Sequence, residues 1–120
     1  LHLSLRRQRQ MCIRDRWLRI QKEKFGQSTW FSFGCVLQGS LKGRRNEVIK
    51  AFEDNGIEAR PLASGNFLKQ PVCKFLSHYN HNNYSAAEDI NENGFWVGNH
   101  SNDCKAGIFK MYTVLKRLAE

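Results

Sequence analysis

The residues best suited to contact a polar ligand lie in one short stretch, residues 56–71 (GIEARPLASGNFLKQP). Arg60 can donate charge-assisted hydrogen bonds to a phosphate or a sugar oxygen. Asn66 offers a donor and an acceptor to sugar hydroxyls, and Gly65 lets a ligand approach the backbone closely. The stretch therefore indicates a site for a hydroxylated or phosphorylated molecule. The plain alternatives are a surface ion pair or a domain-interface contact for Arg60 and an ordinary turn for Asn66.

Three more polar residues are candidates of the same kind: Gln70, Asn99 and His100. For His100 a helix-capping or turn role is the stronger alternative. Neighbouring aromatic residues are predicted to belong to the core and not to stack on a ligand, namely Phe67, Phe95 and Trp96. The sequence thus predicts a substrate-binding set made of Arg60, Gly65, Asn66, Gln70 and His100.

The cysteine and histidine residues do not predict a metal site. The four cysteines are widely spaced and form no CxxC pair: Cys12, Cys35, Cys73 and Cys104. They are expected to be small buried side chains, with a reactive thiol at Cys73 or Cys104 as the alternative. His78 and His81 lie in the polar run SHYNHNNY, which is typical of a surface loop.

The charge of the chain is concentrated at its start. The net charge is +8, and residues 1–24 hold eight Lys/Arg against two acidic residues, which leaves only +2 for residues 25–120. A nearly neutral body argues against a nucleic-acid partner, and the alternative is a basic nucleic-acid-binding arm. No apolar run approaches the roughly 20 residues that span a bilayer, so the sequence predicts a cytoplasmic protein without a membrane partner.

The first sixteen residues, LHLSLRRQRQMCIRDR, follow neither a helical nor a strand period. The run RQRQMCIRDR looks like translated adapter sequence, so residues 1–16 are predicted to be a non-native leader. On this interpretation the native protein extends further upstream, and residues 17–120 form one domain of it. A length of 120 residues, 41% apolar and 25% charged, fits one globular domain or part of one.

Apolar spacing and turn residues predict the elements that position these side chains. Residues 17–25 are a mixed segment that could end a helix. Strands are predicted at residues 29–37, 57–60 and 95–97, and helices at residues 46–55, 70–76, 85–93 and 103–118, the second of which starts around Pro71. The near-continuous apolar run TWFSFGCVL predicts a strand that is buried on both faces.

Several side chains define these helices more closely. In the helix over residues 46–55, Val48, Ile49 and Phe52 are the expected buried stripe, and Gly56 is the expected stop. Ser85 and Glu88 have the spacing of a capping box at the start of the next long helix. The whole order predicts an α/β (α+β) sandwich with helices covering a three-stranded sheet.

Three runs carry a resemblance to a known family: WFSFGCVL, RRNEVIKAFEDNGIEARPLASGNFLKQPV and DINENGFWVGNH. They resemble the small carboxyl-terminal domain of the DegT/DnrJ/StrS family of pyridoxal-phosphate-dependent sugar aminotransferases and dehydratases, over residues 17–120. The Arg-Pro pair, the Ser-Gly-Asn turn and the following proline resemble the 3-dehydratase branch. Aminotransferase members carry a pattern ending in Pro-Leu-His. The GFWVGNH run resembles enzymes acting on GDP-linked sugars more than their CDP-linked relatives.

The resemblance implies an aspartate-aminotransferase-like type I fold. A large upstream domain would hold pyridoxal 5'-phosphate on a lysine, or carry histidine there in the dehydratases, while the small domain closes one wall of the substrate cleft. The cofactor would carry the chemistry. The implied function is a GDP- or CDP-4-keto-6-deoxyhexose 3-dehydratase in deoxysugar and lipopolysaccharide synthesis, acting as a homodimer on a nucleotide-linked 4-keto-6-deoxy sugar. No catalytic or cofactor-binding residue is expected within this chain.

Three other functions remain open at this point. The first is an aminotransferase of the same family, because the choice between dehydration and amino transfer depends on a residue outside this chain. The second is a small basic nucleic-acid-binding module. The third is a stand-alone sugar-nucleotide-binding or structural domain.

Overall fold

The computed structural model describes residues 16–76, 82–100 and 102–120. In this part of the chain four strands and three α-helices follow one another as β1 (Leu18–Ile20), β2 (Ser32–Leu37), α1 (Arg45–Asp54), β3 (Ala59–Pro61), α2 (Ser85–Asn93), β4 (Gly94–Gly98) and α3 (Lys105–Ala119). Short 3-10 helices lie at Gly39–Leu41, Phe67–Lys69 and Pro71–Phe75.

The strands form one antiparallel sheet in the order β1-β2-β4-β3. The predicted mixed α/β architecture is confirmed, but the predicted number of three strands is wrong. The additional strand is β1, which falls in the segment expected to end a helix. Its register places Leu18 opposite Leu37, so Leu18 joins the core through a neighbour 19 positions away. A three-residue strand is too short to show a period of its own.

The central strand β2 is fully buried on one face only. Phe33, Cys35 and Leu37 are buried, whereas Ser32, Gly34 and Val36 are half-buried. The prediction of burial on both faces is therefore wrong. The physical reason is that β2 belongs to an antiparallel sheet, in which alternate side chains face the core and the opposite layer.

The core lies between the sheet and the two helices α1 and α3. Val48 and Phe52 of α1 are completely buried, which confirms the predicted stripe, and Ile49 packs beside them. The Phe52 ring meets the Phe95 ring of β4 edge-on, with 5.8 Å between centroids. Such a pair adds about 0.5–1.5 kcal/mol beyond its buried area. The buried residues of α3 are Met111, Val114 and Leu115.

Helix α2 covers the other face of the sheet, where it contacts β2 and β4. Arg19 alternates with Leu18 and Ile20, so it points away from the core. Its guanidinium lies 2.6 Å from the carboxylate of Asp89 on α2. The sheet is thus sandwiched between α1 and α3 on one side and α2 on the other.

The helix ends follow the sequence in part. Gly56 has φ +68° just after α1, which confirms the predicted stop. The capping box predicted for Ser85 and Glu88 is wrong, because Ser85 is already helical and Tyr84 occupies the N-cap position without a side-chain cap. The Glu88 carboxylate instead contacts Lys69 and Asn66.

Strand β3 lies at one edge of the sheet and includes Pro61, which pairs with Phe95. The strand was expected to end before this proline. An edge position tolerates proline because one side of the strand needs no hydrogen-bond donor. The strand consequently ends within the stretch of residues 56–71, before its Ser-Gly-Asn turn.

Other predictions about individual side chains have mixed outcomes. Phe95 is buried as expected, and Trp96 is half-buried. The prediction that Phe67 belongs to the core is wrong, because Phe67 is 53% exposed. Cys35 and Cys73 are buried, and Cys104 is half-buried. Cys12, His78 and His81 lie outside the described residues. Within the described ranges no group of three His, Cys, Asp or Glu residues could hold a metal, and no helix could cross a membrane.

The junction between α2 and β4 gives a stability prediction. A Cβ atom at Gly94 would clash with the carbonyl oxygen of Ile90 and lie 2.6 Å from Cδ1 of Leu62. We expect Gly94→Ala to destabilise the fold by about 1–3 kcal/mol. Gly98, on the same strand, has no atom within 4 Å of its Cβ position, so Gly98→Ala should stay within about 0.5 kcal/mol. Urea unfolding midpoints measure both, and equal midpoints would contradict the packing.

Candidate functional site

The structure places the five predicted site residues in two groups. His100 lines a cavity at the start of β3 and the end of β4, and Arg60 contacts Glu58, which lines the same cavity. Gly65, Asn66 and Gln70 lie on the connection that follows β3, against α2. The contacts of each group show what its side chains are free to do.

Arg60 projects from the exposed edge strand and pairs with Glu58, with Nη2 2.6 Å from Oε1. The two side chains are 66% and 76% exposed, so solvent screens the pair. Exposed ion pairs of this kind contribute little to stability. Arg60 therefore forms the surface ion pair that was the alternative to a ligand contact. Its guanidinium nevertheless remains accessible to an anionic or hydroxylated ligand.

A cavity of about 580 Å³ lies next to this pair. Its floor is apolar and comes from both central strands and from α3, with Phe33, Val97 and Met111 among its side chains. Glu58 and His100 are polar members of its lining. A volume of a few hundred Å³ with few polar groups is typical of a small-molecule site.

His100 also takes part in a turn, which was the stronger alternative to a ligand contact for this residue. Its Nδ1 accepts a hydrogen bond from the backbone N–H of Asn102 at 3.1 Å. The ring is exposed at the mouth of the cavity. A ligand contact would therefore fall to the other ring nitrogen.

Asn66 is only 8% exposed and its side chain is engaged within the chain. The amide oxygen accepts from the N–H of Leu68 at 3.1 Å, which caps the short helix Phe67–Lys69. The amide nitrogen donates to Glu88 at 3.1 Å, and the backbone N–H donates to Oδ1 of Asn91 at 3.1 Å. In this arrangement Asn66 shapes the turn, and its contact with a substrate stays a prediction.

Gly65 is required by packing against α2. It has φ +37°, and a Cβ atom there would lie 2.5 Å from Oδ1 and 2.8 Å from Cα of Asn91. The sequence indicated a close approach at this glycine. In the structure, helix α2 is what approaches Gly65 closely.

Gln70 lies half-buried between the two short helices Phe67–Lys69 and Pro71–Phe75. It lines a second cavity, of about 520 Å³, together with Lys69 and Lys74. The two lysines make this the more basic of the two cavities. It suits an anionic group better than the apolar cavity beside His100 does.

The charges around the turn stabilise one another. The ammonium group of Lys69, and then the amide of Asn66, hold the pKa of the Glu88 carboxyl below its usual value. Glu88 in turn raises the pKa of Lys69. Asp89 follows Glu88 on α2, and the guanidinium of Arg19 lowers the pKa of the Asp89 carboxyl. Helix α2 therefore presents ionised carboxylates to the turn and to β1 at neutral pH.

The sequence did not reveal the roles of Lys69, Glu88 and Asn91. Glu88 has an ordinary capping-box spacing, and Asn91 lies 25 positions from its partner Asn66. No local pattern predicts a bond over that separation, because it depends on how α2 packs against the turn.

Four exposed apolar side chains lie just beyond the turn: Phe67, Val72, Phe75 and Leu76. We call them the apolar flank. Phe75 is 85% exposed, and all four belong to or directly follow the two short helices. Neighbouring apolar residues exposed in this way often mark an interaction surface.

Comparison with known proteins places this fold in a family, although no family model matches the chain. A GDP-4-keto-6-deoxy-D-mannose 3-dehydratase from Yersinia pseudotuberculosis is 37% identical over 102 residues, which are 84% of this chain and 26% of that protein. The enzyme of the same name from Escherichia coli O55:H7 is 36% identical over 101 residues, 83% of this chain and 26% of that protein. The chain thus spans about a quarter of these curated relatives.

Solved structures agree with the sequence relatives. The E. coli GDP-4-keto-6-deoxy-D-mannose-3-dehydratase with bound hydrated PLP superposes with a TM-score of 0.82 at 30% identity, over 95% of this chain and 29% of that one. A variant of ColD with bound GDP-perosamine gives the same TM-score and identity, over 95% of this chain and 30% of that one.

A more distant structure shares the fold alone. The aminotransferase TlmJ from Streptoalloteichus hindustanus has a TM-score of 0.68 at 15% identity, over 98% of this chain and 31% of that one. Sequence identity and backbone agreement across most of the chain lead to one assignment. The chain belongs to the aminotransferase-like, pyridoxal-phosphate-dependent family that includes the GDP-4-keto-6-deoxy-D-mannose 3-dehydratases.

Proposed function

We propose that residues 17–120 are the small carboxyl-terminal domain of a GDP-4-keto-6-deoxyhexose 3-dehydratase, and that residues 1–16 are a non-native leader. The observation that supports this most is the TM-score of 0.82 over 95% of the chain to an enzyme of that name. The proposal includes the DegT/DnrJ/StrS affiliation, a cytoplasmic location, a role in lipopolysaccharide synthesis and a homodimer. It includes neither a nucleic-acid nor a membrane partner.

In this proposal the stretch from Arg60 to Gln70 forms one wall of the substrate cleft. Arg60 supplies an accessible cation for a phosphate or sugar oxygen, and Gln70 supplies an amide next to the basic cavity. Gly65 and Asn66 set the path of the backbone between them. His100 contributes from the apolar cavity of about 580 Å³.

Lys69, the lysine of the candidate wall, does not fit the role of cofactor anchor. Pyridoxal phosphate, when bound, supplies the electron sink for breaking the C3–O bond of the sugar. A lysine anchor must react as the neutral amine, yet Lys69, the lysine of the candidate wall, is held protonated by Glu88. The cofactor is therefore assigned to polypeptide beyond this domain, and the contribution of this chain is to bind and orient the sugar nucleotide.

The apolar flank supports the idea that more polypeptide packs here. Side chains such as Phe75 gain about 25 cal/mol for each Å² of apolar surface that a partner removes from water. The relatives are about four times as long as the part matched here, since that part is 26% of their length. A neighbouring domain of such an enzyme is a suitable partner for this surface.

The isolated chain is expected to be catalytically inactive, because the cofactor anchor lies elsewhere. Purified chain mixed with pyridoxal phosphate should show no absorbance from a protein-bound cofactor. It should also form no GDP-linked 3-deoxy sugar from GDP-4-keto-6-deoxymannose. Turnover, or cofactor absorbance that survives gel filtration, would contradict the proposal.

A chimera tests the function directly. We expect the Yersinia pseudotuberculosis enzyme to keep 3-dehydratase activity when its 102 matched residues are replaced by those of this chain. A folded, cofactor-loaded chimera without activity on the GDP-linked sugar would count against the proposal.

Within the chimera, Arg60→Ala should raise KM for the sugar nucleotide about 10- to 100-fold, since a hydrogen bond to a charged group contributes about 1.5–3 kcal/mol. The matched control is Arg117→Ala, which removes an exposed arginine from α3. Steady-state kinetics with the GDP-linked sugar measure both variants. Equal KM values in the two variants would remove Arg60 from the binding set.

A further inference from the structure

We propose that Glu88 and Asn91 of α2 are positioning residues, which hold residues 64–70 in the shape that the substrate wall requires. We call residues 64–70 the clamped turn. The proposal rests on the proposed function, because it assigns a purpose to the wall named there. Neither side chain needs to touch the substrate.

Asn91 holds the start of the clamped turn. Its Oδ1 accepts the backbone N–H of Asn66 at 3.1 Å, and Gly65 packs against its Cα. A side chain at position 65 would not fit this approach. The glycine and the asparagine of α2 therefore form one closely matched contact.

Glu88 holds the middle of the clamped turn. One carboxylate oxygen accepts from Nδ2 of Asn66 at 3.1 Å, and the other pairs with Nζ of Lys69. The Asn66 amide is thereby fixed with its oxygen toward the N–H of Leu68. One carboxylate thus orients both an asparagine and a lysine that border the proposed wall.

The turn needs such contacts because its backbone is unfavourable by itself. Ser64 has φ +66° and Gly65 has φ +37°, so two successive residues occupy the left-handed region. A non-glycine residue there is uncommon, and such strain persists only where the surroundings determine it. Bonds from α2 supply those surroundings.

Helix α2 is itself fixed to the rest of the fold, so it can serve as a platform. The fully buried Asn93 accepts the N–H of Gly43 at 2.6 Å and donates to Asp89 at 2.8 Å. Asp89 pairs with Arg19 on β1, and Arg45 of α1 donates to the carbonyl of Asn91. The clamped turn thereby takes its position from the core.

The clamp should open in acid. Glu88 faces Lys69 and Asn66 across the contact and Glu92 on its own helix. Because its pKa is lowered in the folded protein, the stabilisation is complete above the ordinary carboxyl pKa of about 4.3. It is lost as the pH falls through the lowered value. Glu88→Gln removes this pH dependence while keeping an acceptor for Asn66.

Amide hydrogen exchange of the 120-residue chain tests the clamp without any cofactor. We expect Glu88→Ala and Asn91→Ala each to speed exchange at Asn66 and Leu68 about tenfold. Asn91→Asp, which keeps the acceptor, should restore protection. Glu53→Gln, which changes an exposed carboxylate on α1, is the matched control and should change nothing. Unchanged exchange in both alanine variants would overturn the clamp.

Steady-state kinetics of the chimera test whether the clamp positions the substrate wall. Glu88→Ala should raise KM for the GDP-linked sugar about tenfold with kcat nearly unchanged, and Glu88→Gln should recover part of that loss. Faster exchange with an unchanged KM would overturn the positioning role while leaving the proposed function intact. An inactive parent chimera would count against the proposed function, whereas the exchange result would still decide whether the clamp exists.

Discussion

The antiparallel pairing of β2 with β4 is the interaction on which the rest of the structure depends. It sets Phe33 opposite Val97 and Cys35 opposite Phe95, so that alternate side chains meet α1 and α3 in one core. Both outer strands attach to this pair, β1 through β2 and β3 through β4. Arg60 lies on β3, which is joined to β2 only through β4. The position of Arg60 therefore depends on the pairing of β2 with β4.

A second constraint is the direct passage from α2 into β4. The helix ends at Asn93 and the strand begins at Gly94, with no loop between them. The absence of a side chain at Gly94 lets the strand leave the helix past the carbonyl of Ile90. Helix and strand consequently behave as one unit. The polar contacts that α2 makes with the turn after β3 are carried by the same sheet that carries Arg60.

Much of the fold could be predicted from local sequence, and most of the site could not. Helix α1, its stop at Gly56 and the span of α2 follow from apolar spacing and turn chemistry over a few residues. Strand β1 was missed because its partners lie 15 to 19 positions away. The role of Glu88 was misread for the same reason, since its partners lie 19 and 22 positions away. Side-chain chemistry and turn residues pointed to residues 56–71, but the contacts of Asn66 depend on tertiary packing.

The two outer strands determine how readily this sheet can pair with strands of other molecules. Both β1 and β3 are three residues long, and each carries an outward arginine at its centre. Pro61 adds a position without an N–H group at the β3 margin. Short, charged, proline-bearing margins discourage the addition of foreign strands. The sheet can thus resist edge-to-edge aggregation during synthesis, even though the apolar flank of the domain is exposed.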